Sequence, residues 1–267
     1  MNRRTTLMLV SMNPQISAAA IMAAALALNF FQPSSALAWF DQGHMTIAAA
    51  AYDQLTPAAK RRVAELLALS RYPTNGTNNA RPDDAAKAAM MMAATAVDAI
   101  KKDQDDFKDD GEDPTDSAKA PEPGRNTGFD DKFMHKYWHY IDKPFSRDDT
   151  ALRSPPAINA QERIALFRRT IASDAPDELK AFDLVWLLHL VGDVHQPLNA
   201  TSRFTQSEPK GDSGGNDVKL SCSGCPSELH RFWDDVLGTD DRVSVSIGAA
   251  RLLPKWWMPY ACSSSSA

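Results

Sequence analysis

The chain has 267 residues, 29 Lys+Arg against 34 Asp+Glu for a formal charge of -5, and 43% hydrophobic residues. That is enough for one sizeable folded domain, or at most two small ones, and it excludes a disordered tail; 12 glycines and three cysteines also exclude a collagen-like chain and a disulfide-built scaffold. The net acidity argues against gripping duplex backbone by charge alone, since that takes clustered Lys and Arg, so a polyanion would be met through metal ions.

Residues 1–38 read as an export signal. Arg3 and Arg4 form a basic start, an Ala/Leu/Met-rich stretch runs from Ile16 to Phe31, and Ala36-Leu37-Ala38 is a small-x-small cleavage site. The apolar stretch is short for a membrane anchor, so the expectation is a chain cut before Trp39, secreted or periplasmic, without stable membrane insertion. Ile47 to Tyr52 is alanine-rich and helical. Thr56-Pro57 then supplies a cap and first-turn proline for the periodic AAKRRVAELLAL.

Asp84 to Lys102 is rich in helix formers and predicts a long helix. The Asp/Gly/Pro-rich interval from Asp103 to Gly128 has no apolar period and reads as an exposed loop with a solvated acid run; it lacks the ligand spacing of a calcium loop. Helices are predicted again over Asn159–Ala172 and Asp177–Val194, where Pro197 stops the pattern. The segment AFDLVWLLHLVGD is apolar nearly all round and should run through the domain centre. Shorter helices follow over Glu228–Leu237 and Val243–Leu253. No strand alternation of useful length stands out, so residues 39–267 are expected to form one all-α domain with a polar loop near 103–128. In an exported chain Cys222, Cys225 and Cys262 allow one disulfide and leave one thiol, with the pairing open.

Buried histidines and carboxylates carry the chemistry. His189 and Asp193 lie four apart on the central helix, on one side of adjacent turns, and His230 and Asp234 repeat that spacing later. Such pairs are costly when dry and unpartnered, and a divalent cation satisfies both groups. One pair is equally a hydrogen-bonded core pair; two pairs, in a chain with six histidines, favour metal. His44, His139 and Asp98 are further candidates, each with a structural alternative: a satisfied core imidazole for His139, a solvated helix aspartate for Asp98. His135 and His195 show no comparable carboxylate partner in the sequence.

Through WFDQGH, AVDAI, WHYID, HLVGDVHQPLN, GGN and LHRFWD, in that order from Trp39 to Asp234, the chain resembles the exported zinc-dependent single-strand nucleases and 3'-nucleotidases, whose helical fold is shared with zinc phospholipase C. The resemblance implies up to three Zn2+ ions. Trp39, through its freed amino group and carbonyl, and His44 would hold one, with Asp193 bridging to a second held by Asp98, His139 and His189. His230 and Asp234 would hold a third. The family histidine at the end of QPLH is replaced here by Asn199, a weaker zinc ligand than imidazole, and the family's WAD tryptophan is absent because Ala96 and Val97 precede Asp98.

The implied reaction is hydrolysis of single-stranded DNA or RNA to 5'-phosphate products, with 3'-nucleotidase activity, by a monomer. Asp98 would orient water as well as bind metal, and Lys101, one turn on, would contact phosphate unless it is a solvated surface lysine. Phe40, Trp138 and Phe145 are candidate walls for a splayed base. Two competing expectations are a zinc phospholipase C-type activity on phospholipid headgroups and a relative impaired by Asn199.

Overall fold

In the computed structural model the structure describes residues 39–72, 85–101, 106–111 and 132–253, all within one compact unit, Ala36–Ala267. The expected export signal and Cys262 lie outside the described residues. In chain order the elements are α1 (Asp41–Gln54), α2 (Pro57–Ala68), α3 (Ala85–Ile100), a 3-10 turn (Lys136–Trp138), β1 (Lys143–Ser146), α4 (Ala160–Ala172), α5 (Asp177–Asp193), α6 (Pro197–Ala200), β2 (Thr201–Phe204), a second 3-10 turn (Ser213–Gly215), α7 (Leu229–Asp234) and α8 (Val243–Leu252). The fold is all-α, as the periodicity predicts.

Local chemistry sets the helix boundaries. Thr56 Oγ1 accepts from the Ala59 N–H at 3.2 Å and Pro57 opens α2 without an N–H to satisfy. Thr56→Ala is expected to cost about 1 kcal/mol, read as a small fall in melting temperature. At α4 the Asn159 carboxamide accepts from the N–H groups of Gln161 and Glu162. Asp177 and Glu178 in the first turn of α5 complement its dipole. α5 ends at Asp193, and Pro197 then opens α6 rather than merely ending a helix. α7 is shorter than predicted because the bonding tightens to turns after Asp234, with the Val236 N–H donating to the Trp233 carbonyl and the Gly238 N–H to the Asp235 carbonyl.

α5 is the axis of the packing. It lies against α1, α2, α3 and α4, and its buried face carries Phe182, Val185, Trp186 and Leu190 into a core with Leu66, Val97, Trp138 and Phe167. A second seam between α1, α3 and α8 is built from small side chains, Ala48, Ala49, Ala88, Ala94 and Ala250, with Met45 and Met91. Alanine lets these axes approach closely, which carries His44 on α1 and Asp98 on α3 to the C-terminal end of α5.

Two expectations need correction. The chain does form strands: β1 and β2 pair in parallel, Lys143 with Thr201 through Ser146 with Phe204. At four residues each they are too short to register as alternation. They fasten the segment after His139 to the segment after α5, reinforced by Ile141 N–H donating to the Asn199 carbonyl at 2.7 Å.

The acid run is also not solvated throughout. Asp110 is buried and accepts from the His135 backbone N–H at 2.8 Å, with its other oxygen 2.9 Å from His135 Nδ1. This is the carboxylate partner that sequence spacing could not supply for His135, 25 residues away. The pair holds His135 at φ +49°, a left-handed conformation that opens the 3-10 turn leading to His139. Asp110→Ala leaves both donors without their acceptor, and a loss of about 1–3 kcal/mol is expected in chemical denaturation.

Candidate metal centre

Five predicted residues converge where α1, α3, α5 and the segment after the 3-10 turn meet. His44, Asp98, His139, His189 and Asp193 are all buried. His139 Nδ1 lies 2.8 Å from Asp193 Oδ2 and 3.0 Å from His189 Nε2, which is itself 3.2 Å from the same carboxylate oxygen. On the other side Asp193 Oδ1 stands 3.4 Å from His44 Nε2. Asp98 spans both sides, with Oδ2 3.7 Å from His44 Nε2 and Oδ1 3.6 Å from His189 Nε2. Two overlapping groups result, His44/Asp98/His189 and His139/His189/Asp193, each able to offer three ligand atoms to one ion.

The local geometry aims the ligand atoms. His189 Nδ1 lies 2.8 Å from the Ala94 carbonyl, which keeps its proton there and turns Nε2 inward. The His44 ring stacks on His189 at 4.2 Å between centroids and rests against Gly192, where a Cβ would fall 2.4 Å from Nδ1. The sequence reading did not single out Gly192; a glycine inside a strongly helical run was its one signal. Trp39 is buried beside it and donates through Nε1 to the Gly192 carbonyl at 3.0 Å.

Electrostatics match this arrangement. Burial, then the neighbouring His189, lowers the His44 pKa to about 3, and burial, then Lys101, lowers His139 to about 4, so both are neutral with lone pairs available. Burial also opposes charge on His189, but Asp193 and Asp98 outweigh it and raise its pKa. Asp98 is pushed up by burial yet held at about 2, because Lys101, His189 and His44 favour its charge. His189 and His139 likewise hold Asp193 well below the usual range against the effect of burial. Lys101 is no surface lysine: it is buried, with Nζ 2.6 Å from Asp98 Oδ1.

The residues fit a cation. Neither ring nitrogen of His44, nor His139 Nε2, nor Asp193 Oδ1 has a hydrogen-bond partner, although all are buried. Each such atom left dry costs on the order of 1–3 kcal/mol, and imidazole nitrogen with carboxylate oxygen is a donor set suited to zinc.

His230 and Asp234 form a neighbouring group. His230 Nδ1 sits 2.7 Å from the Gly214 carbonyl and Nε2 3.7 Å from Asp234 Oδ1. This gives GGN a physical purpose: Gly214 has φ +60° and a Cβ there would fall 2.5 Å from the Leu198 carbonyl. The fully buried Gln196, which sequence reading passed over, reaches both partners. Asn199 is buried and donates through Nδ2 to the Asp193 carbonyl at 3.1 Å. Burial pushes the Asp234 carboxyl up to about 8 even though Gln196 donates to it.

Of the aromatic candidates, Trp138 is not a base wall. It is fully buried, with His135 stacked on it at 3.7 Å and Trp186 edge-on at 4.8 Å. Phe145 is 39% exposed, and Phe40 is half-buried with the Arg231 guanidinium 5.5 Å from its ring centroid.

An all-α fold that buries a histidine and aspartate cluster at the end of its central helix defines a protein with a candidate metal centre. The S1/P1 nuclease family profile matches residues 39–247, and the chain belongs to that family of zinc-dependent nucleases, within the phospholipase C and nuclease superfamily. It is also similar to Endonuclease 3 of Arabidopsis thaliana, 41% identical over 54 residues, a match spanning 20% of this chain and 16% of the relative's length. Cys222 and Cys225 are joined in a disulfide, and among the described residues no helix is long and apolar enough to cross a membrane.

Proposed function

We propose that this chain hydrolyses phosphodiester bonds of single-stranded DNA or RNA, or both, to 5'-phosphate products, and 3'-nucleotides to nucleosides, using zinc. The observation that carries this reading is the convergence of five buried ligand side chains with orphaned polar atoms at the end of α5. Zinc would be held by His44, Asp98, His139, His189 and Asp193, with the Trp39 amino group and carbonyl joining once cleavage after Ala38 frees that terminus. Bound zinc supplies Lewis acidity, bringing water within reach of deprotonation near neutral pH and offsetting charge on the phosphate.

The protein groups divide the remaining work. Asp98, kept ionised beside Lys101, accepts a hydrogen bond from the attacking water and orients its oxygen toward phosphorus opposite O3'. The new O–P bond forms as the P–O3' bond breaks, and the 3'-oxygen leaves as a hydroxyl with a proton that originates on the water. The positive charge of Lys101, buried beside Asp98, would act on a non-bridging phosphate oxygen. A recessed centre admits a phosphate whose flanking base has splayed out onto Phe40 or Phe145, which disfavours duplex.

The Cys222–Cys225 disulfide supports maturation in an oxidising compartment, secreted or periplasmic, with residues 1–38 removed and 39–267 acting as the monomeric domain. The test compares zinc-loaded protein on single-stranded DNA, RNA, duplex DNA, a 3'-nucleotide and phosphatidylcholine. Cleavage of the single strands and the 3'-nucleotide, with little on duplex, is expected. Turnover of phosphatidylcholine alone would assign the phospholipase C reading, and no turnover of any substrate by zinc-loaded protein would sink the enzyme reading.

A further inference from the structure

The two acid-histidine groups differ in how their hydrogen bonds are satisfied. In the cluster around Asp193, buried nitrogen and oxygen atoms lack partners and face one another. His230 Nε2 and Asp234 Oδ1, 3.7 Å apart, instead share a donor between them. The difference is Gln196, which is fully buried and places Nε2 2.9 Å from Asp234 Oδ1 and 3.2 Å from His230 Nε2.

The orientation of that amide is fixed by its other end. Gln196 Oε1 accepts from the Leu198 N–H at 2.5 Å, so the atom turned toward His230 and Asp234 is the donor nitrogen. The Gly214 carbonyl holds the His230 proton on Nδ1, leaving Nε2 as an acceptor. The two hydrogens of the amide therefore have two acceptors, one nitrogen and one oxygen. A cation entering between them must displace the amide and break its bond to the Leu198 N–H at the start of α6. Asn199, whose Nδ2 donates to the Asp193 carbonyl, has only its carboxamide oxygen to offer, a weaker zinc ligand than imidazole.

We infer that in this chain the His230–Asp234 pair is closed by the Gln196 amide in place of a third cation, so that tightly bound metal is confined to the cluster of His44, Asp98, His139, His189 and Asp193. The inference rests on reading that cluster as a metal centre. Gln196 is then a positioning residue: it locks α7 to the turn after α5 through hydrogen bonds and presents a neutral wall beside the centre.

The experiment measures zinc per chain by elemental mass spectrometry on protein matured from the full chain, as wild type, His230→Ala and Asp234→Asn. About two equivalents are expected in the wild type, with the same count in both variants. A wild-type count that falls by one in either variant overturns the inference while leaving the cluster reading in place. Essentially no zinc in the wild type overturns the cluster reading itself. Asp234→Asn preserves side-chain volume and an acceptor for Gln196, so it reports even if His230→Ala fails to fold. The Gln196 carboxamide protons provide a second readout by NMR: slow exchange in the zinc-loaded protein is expected, and solvent-like exchange there would remove Gln196 from the role assigned to it.

Discussion

Asp193→Asn is expected to lower zinc-dependent hydrolysis of single-stranded DNA about 10³-fold or more in kcat/KM, roughly 4 kcal/mol of lost transition-state stabilisation. The size follows from position: one oxygen faces His139 and His189 and the other faces His44, so one carboxylate serves both sides of the cluster. Asparagine keeps the volume but replaces one oxygen with a donor nitrogen and removes the charge that balances bound cations. Zinc should also lose its effect on melting temperature, because stabilisation by a ligand requires preferential binding to the folded state. In the wild type that zinc-dependent rise should shrink as pH falls. His189 has a raised pKa, so below it a proton competes with metal, and above it the imidazole is free to bind. Undiminished hydrolysis by Asp193→Asn, or a zinc effect that grows toward low pH, would contradict the proposed centre.

Gly192→Ala is expected to destabilise the protein although alanine is the better helix former. Helix propensity alone predicts a gain of about 1 kcal/mol. Against it, the new Cβ would stand 2.4 Å from His44 Nδ1, and His44 has nowhere to retreat, being stacked on His189 at 4.2 Å and fully buried. Overpacking of this kind costs roughly 1–3 kcal/mol, and displacing His44 also separates it from Asp193. Calorimetry of the zinc-free variant should show a lower melting temperature, and metal analysis a reduced zinc count. A higher melting temperature with full zinc content would show that the close approach of α1 to α5 is not a constraint.

The helices were legible because each announces itself locally. Thr56-Pro57 starts α2, Asn159 caps α4, and the all-round apolar character of Asp177–Asp193 marks the axis of the fold. His189 with Asp193 and His230 with Asp234 were legible for the same reason, since helical spacing alone puts each pair on one side. What escaped were features spanning long sequence distances: the pairing of β1 with β2, the burial of Asp110 against His135, and the interior position of Trp138, a residue whose composition fits a core as well as a binding wall.

Sequence by itself determined the all-α class, the positions of most helices and the residue types able to bind a cation, because these depend on periodicity, capping and donor chemistry within a few turns. Only the tertiary structure decided which of those donors share a site and which are already satisfied. Bringing His44, Asp98 and His139 to His189 and Asp193 depends on an alanine seam and on one glycine. Turning the Gln196 amide nitrogen toward His230 and Asp234 depends on the Leu198 N–H that the fold places at its oxygen. Packing clearance and hydrogen-bond partnership belong to pairs of distant residues, and no local pattern encodes them.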